Sequence, residues 1–242
     1  MKSNLSNLLR TSVLLASIGA MGATYAAVTL DRTRIIFDGD QQSINITIRN
    51  DNPELPYLAQ SWLEDASEKK LEAGPIIATP PIQRMEPKST SLVRLSTAPD
   101  ISKLPQDRES LFYYNLREIP PKSTEAGVLQ IALQSRVKLF YRPEAIVADS
   151  KKDWTKQVTL TPTANGYQLN NPTSFYLTII GIGNSQKQSE QSDFDAVMVP
   201  PKSTHNLKSA KFATPYLTYI NDYGGKPSLA FKCQASQCTV AP

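Results

Sequence analysis

The sequence predicts an all-β protein of two sandwich domains carried behind an export signal. Three observations predict it. Short runs of alternating or aliphatic and aromatic residues recur along the chain, with Pro-, Asn- and Gly-containing turn clusters at roughly ten-residue intervals. The pattern breaks near residues 142–146 and then restarts. The 18 prolines in 242 residues leave little room for long helices.

The first element is the export signal. Lys2 and Arg10 form a positive start, residues 12–23 (SVLLASIGAMGA) a short apolar run, and Thr-Tyr-Ala at 24–26 supplies small residues at a cleavage site after Ala26. The run is too short for a membrane anchor, which needs about 20 apolar residues. Removing Lys2 and Arg10 from the 26 basic residues leaves 24 against 22 acidic. These cations are scattered, which argues against a nucleic-acid partner.

Residues 43–49 (SINITIR) alternate as a half-buried strand does. Residues 57–63, 91–95, 111–116 and 129–141 are further strand candidates. Turn clusters separate them at 51–56 (DNPELP), 79–81 (TPP) and 120–124 (PPKST). After RPEAI at 142–146 comes a polar stretch, VADSKKD. New strand candidates then follow at 158–160, 167–169, 175–180, 196–199, 217–220 and 229–233. The expected domains are residues 27–146 and 147–242, each of immunoglobulin-like size.

Cys233 and Cys238 are the only cysteines. In an oxidising compartment such a pair reads as a disulfide across a hairpin. A metal site would need more ligands than one histidine and these two thiols. Enzyme chemistry is poorly served. The single histidine, His205, lies in PPKSTHN, which reads as a polar turn, and there is no GxSxG elbow. Gly224-Gly225-Lys226 lacks the spacing of a phosphate loop. No cofactor is expected, and no use of ATP.

Residues 104–120 read LPQDRESLFYYNLREIP. This segment resembles the signature of the PapD-like periplasmic pilus chaperones at every specified position. AVTLDRTRIIFDG at 27–39, NDNPELPYLAQSW, PPIQRMEP, LQIALQSRVKLFYRP and YINDYGGKP follow the family's order across the mature chain. The branch it most resembles is that of the P-pilus chaperones, with a short loop before the seventh strand. The resemblance implies two immunoglobulin-like domains in a boomerang with a cleft between them. It implies a periplasmic, non-enzymatic protein. Its partners would be pilus subunits, to which it lends a strand, and an outer-membrane usher. Self-association of the free protein through its edge strands is left open. An adhesive sandwich protein and a hydrolase are the competing classes. Co-purification with a pilin separates the first, and a screen for hydrolytic activity the second.

The resemblance also assigns residues. Leu129, Ile131 and Leu133 match the donated hydrophobic triplet, although from the residues alone they read as ordinary core. Arg34 and Lys138 match the positions that hold the subunit's C-terminal carboxylate. Alternation places Lys138 on the face opposite Leu133, so either a bulge intervenes or the two engage the partner from different faces. Glu109, Arg142 and Asp222 match a charge network between the domains. Read singly, they are surface charges.

Overall fold

The computed structural model describes residues 26–124, 127–234 and 236–241. The expected export signal falls, up to residue 25, outside the described residues. No helix among those described is long and apolar enough to cross a membrane.

Among the described residues, the first half contains nine strands: β1 (Val28–Leu30), β2 (Arg34–Asp38), β3 (Ser43–Asn50), β4 (Tyr57–Asp65), β5 (Ile76–Thr79), β6 (Ile82–Met85), β7 (Thr90–Thr97), β8 (Ser110–Ile119) and β9 (Gln134–Arg142). They form two sheets, β1-β3-β7-β5 and β2-β9-β8-β4-β6. Alternation decides which side chains point between them. In β3, Ile46 and Ile48 are buried while Asn45 and Arg49 are exposed. Ile35, Phe37, Val93, Leu95, Tyr114, Leu116 and Leu139 complete the core with them. The one polar atom of Tyr114 is satisfied by Ser61, at 2.8 Å.

The start of the chain changes sheet. β1 lies antiparallel to β3 in the first sheet, and β2 lies parallel to β9 in the second. Residues 31–33 make the crossing. β2 covers only part of the outer edge of β9, from Lys138 to Arg142. Among the described residues, the edge before Lys138 has no strand beside it.

After β9 comes a short helix, α1 (Glu144–Ser150), in the stretch the sequence marks as polar. The second half then forms β10 (Thr159–Thr163), β11 (Gly166–Asn171), β12 (Leu177–Gly183), α2 (Gln186–Glu190), β13 (Val197–Val199), β14 (Ser203–Lys208), β15 (Tyr216–Ile220), β16 (Ser228–Gln234) and β17 (Gln237–Val240). β16 joins the two layers of this second sandwich. Its first residues pair with β15 and its last with β17. Val158, Leu160, Tyr167, Leu169, Ile179, Leu217 and Phe231 fill the second core.

Two sequence expectations need correction. Residues 129–133 do not belong to the strand expected over 129–141, because the regular ladder begins at Gln134. His205 lies in the edge strand β14, opposite Leu169, and not in a polar turn. β14 reads as a turn because only Leu207 in it is buried, so its apolar signal is one residue long.

Cys233 and Cys238 face each other in the β16–β17 hairpin and are bonded. The closed loop is short, so the bond restricts the unfolded chain modestly, by about 2 kcal/mol. Cys233→Ser is therefore expected to lower the stability of the second sandwich by about that amount. A denaturant titration of the variant checks this.

Candidate functional site

One row of side chains runs from core to solvent. The odd-numbered residues of β9 face inward, with Leu139 fully buried and Val137 partly so. Continued backward, the same phase reaches Leu133, Ile131 and Leu129, which are 43%, 65% and 84% exposed. The row outruns its own core. The reading of these three residues as ordinary core is thereby overturned: no opposing sheet covers them. Their polar neighbour is fastened, since Gln130 hydrogen-bonds through its amide to the Pro121 carbonyl and the Ser123 N–H. The polar side of the segment is thus tied back and the aliphatic side left open.

Beside this row runs a groove of about 380 Å³ lined by Thr29, Leu30, Arg32, Thr33, Ser135, Arg136 and Val137. Its floor is the uncovered edge of β9, and its wall is the crossing from β1 to β2. β9 is exposed here in its hydrogen-bonding direction, the condition for adding a strand.

The groove ends at two cations. Arg34 opens β2 directly opposite Lys138 in the parallel register. Arg34 donates through Nη1 to the Ile220 carbonyl of the second sandwich at 3.2 Å, and its buried Nε has no partner. Neither residue has a carboxylate within salt-bridge distance among the described residues. Burial lowers the pKa of Lys138, and the neighbouring Arg34 lowers it further. Burial lowers Arg34 also, against the more distant Asp222 and Glu109. Two unpaired, partly desolvated cations side by side make a site for an anion.

The β8–β9 register runs without a shift from Gln134 to Tyr141, so no bulge turns Lys138 toward the leucine row. Lys138 shares the outer face with Arg136, Gln134, Tyr113, Arg117 and Trp62. On that face Arg136 stacks over Tyr113 and pairs with Glu64 and Glu68, and Arg117 lies over Trp62. The sequence reading overlooked this ladder, although the even positions 134, 136 and 138 signal it.

Arg142, Glu109 and Asp222 meet between the sandwiches. Arg142 Nη2 lies 2.8 Å from Glu109 Oε1 and 2.9 Å from Asp222 Oδ2, and Nε donates to Glu109 at 3.0 Å. The second oxygen of Glu109 accepts the Tyr176 N–H of the second sandwich at 2.7 Å. Phe175, also of the second sandwich, sits under the guanidinium. Glu109 and Arg142 are buried and Asp222 is half-exposed, so the surface-charge reading fails for the first two. Burial pushes the Glu109 carboxyl up to about 7 against the pull of Arg142. Burial opposes the charge on Arg142 too, but Glu109 and Asp222 hold its pKa above the ordinary value.

Comparison with known proteins follows the same lines. Residues 27–147 match the model described as "Pili and flagellar-assembly chaperone, PapD N-terminal domain". Residues 153–231 match "Pili assembly chaperone PapD, C-terminal domain". The chain belongs to the PapD-like chaperone family. It is 54% identical over 235 residues to the chaperone protein PapD of Escherichia coli, covering 96% of this chain and 98% of that protein. It is 43% identical to the chaperone protein PmfD of Proteus mirabilis, covering 94% and 92% of the two. Among solved structures, the periplasmic chaperone SfaE superposes with a TM-score of 0.68 at 30% identity, over 84% of this chain and 98% of that one. These PapD-like relatives are named as chaperones, not as enzymes.

For this PapD-like chain the Arg142 cluster carries its own test. Removing one member of a buried ion pair leaves the other uncompensated, at a cost of about 3–5 kcal/mol. Arg142→Ala is expected to lose about 3 kcal/mol in a urea titration and to broaden the distribution of angles between the sandwiches in solution scattering. Unchanged stability and scattering would show that the cluster does not couple the two halves.

Proposed function

We propose that this protein is a periplasmic chaperone that captures pilus subunits by lending them the segment 128–137, and delivers them to an outer-membrane usher. The observation that carries the reading is the aliphatic row that outruns its own core beside an unpaired strand edge. Three exposed aliphatic side chains next to an open edge are an aggregation hazard. They are useful if a partner covers them, and burying them is worth roughly 5–8 kcal/mol in area terms. Strand addition supplies that cover, and chaperone–pilin complexes are a recognised case of it. The row would occupy the place of a strand missing from the subunit.

The cations give the added strand its direction. A subunit chain lying on the uncovered edge of β9 with its C-terminal carboxylate on Arg34 and Lys138 stands in line with β2. It ends where β2 begins, and so runs parallel to β9. The carboxylate fixes the register, and the leucine row engages the subunit from the other face of the strand. The Arg142 cluster holds the second sandwich in position behind the site. We assign the domains to residues 27–146 and 147–242, with the boundary in α1, and export to residues 1–26. The work needs binding energy alone and no cofactor.

The direct test is co-expression with a pilin encoded beside the gene. A soluble one-to-one complex from the periplasm is the expected result. A pilin that accumulates equally, with or without this protein, contradicts the reading.

A further inference from the structure

We infer that Tyr223 selects the last side chain of the captured chain, a conclusion that rests on the capture reading above. Tyr223 is 96% exposed, more than any other large apolar side chain among the described residues. An exposed ring on a loose loop would mean little, but this loop is fixed. Asn221 Oδ1 accepts the N–H groups of Tyr223 and Gly225, at 3.1 and 2.8 Å. The Asn221 N–H donates to the Gly225 carbonyl, and the Gly224 N–H to that of Asn221. Asp222 is held by Arg142. Gly224 has a φ of +79°, and a Cβ there would come within 2.7 Å of Thr33 Oγ1, so the loop lies against the first sandwich at the end of the groove.

The backbone that carries the ring is therefore fixed before any partner arrives, which lowers the ordering cost of the loop on forming a complex. Its place is informative. Tyr223 lines a cavity of about 540 Å³ together with Arg32, Thr33 and Arg34, and a smaller one of about 160 Å³ with Arg34, Phe140 and Ile220. A carboxylate on Arg34 and Lys138 brings the residue that bears it to this wall. Tyrosine offers a large flat apolar surface at such a contact and is enriched where binding energy concentrates. The partner chemistry it fits is a chain ending in an apolar or aromatic residue with a free carboxylate.

The test uses the full mature protein and two synthetic peptides copying the C-terminal strand of a pilus subunit, one ending in phenylalanine and one in glycine. Tyr223→Ala should weaken the phenylalanine peptide about tenfold and the glycine peptide less than about twofold, since only contacting groups couple. Tyr223→Phe should bind both peptides nearly as wild type. Unchanged thermal unfolding of both variants is expected from the exposure of the side chain. Equal losses on both peptides, or no loss on either, overturn the inference while leaving capture intact. Wild-type binding that is absent, or indifferent to Arg34→Ala, contradicts the capture reading and the inference with it.

Discussion

Ile131→Asp is expected to abolish subunit binding while the free protein folds normally. The side chain has different surroundings in the two states. In the free chain it is largely solvated, beyond the last covered position of the β9 row. A carboxylate there keeps its hydration, so folding is affected by only a few tenths of a kcal/mol, as for other surface substitutions. In the proposed complex the same side chain would enter an apolar pocket of the subunit. An unpaired charge in such a place costs several kcal/mol, and about 2 kcal/mol of aliphatic burial is lost with it. Together these exceed three orders of magnitude in affinity. Circular dichroism and thermal unfolding report the first half of the expectation, and co-purification of the pilin the second. Ile131→Val should retain binding. A variant that unfolds, or one that still binds, contradicts the account.

The cation pair should separate binding from stability in the other direction. Lys138→Met keeps the apolar stem and removes a charge that burial and Arg34 both disfavour. The free protein should be unchanged or slightly stabilised. Subunit binding should weaken by about ten- to a hundredfold, the worth of one charge-assisted hydrogen bond of roughly 1.5–3 kcal/mol. Arg34→Ala should weaken binding similarly, with the added loss of its contact to the Ile220 carbonyl. Amidating the C-terminus of a subunit peptide should cost wild type the same factor and cost the double variant little more, because coupled groups are not additive. Full capture by the double variant, or equal amidation penalties on both proteins, would remove the anchor role.

Much of the fold can be read from residues alone, whereas the site is legible only through the family resemblance, and both gaps have physical causes. The strands whose two faces differ, such as β3 with Ile44, Ile46 and Ile48, announce themselves by period. Strands of three to five residues, such as β1, β5 and β17, are too short to show one. β14 hides because only one of its side chains, Leu207, is buried. The row Leu129, Ile131, Leu133 shows the opposite difficulty. Its pattern is that of a core strand, and periodicity cannot tell whether the core belongs to this chain or to a partner. Only the end of the opposing sheet decides that. Arg34, Lys138, Glu109, Arg142 and Asp222 are scattered charges in one dimension, and their meeting depends on the β2–β9 register and the approach of two sandwiches. Tyr223 gives no sequence signal of its own, since its exposure depends on where the folded loop places it.

Amide hydrogen exchange on the protein alone and in complex with a pilin tests the lent strand most directly. The account predicts that residues 128–137, which have an uncovered edge in the free protein, become strongly protected in the complex, with the amides around Arg34 next in effect. Unchanged exchange across 128–137, with protection appearing on another surface, would contradict it.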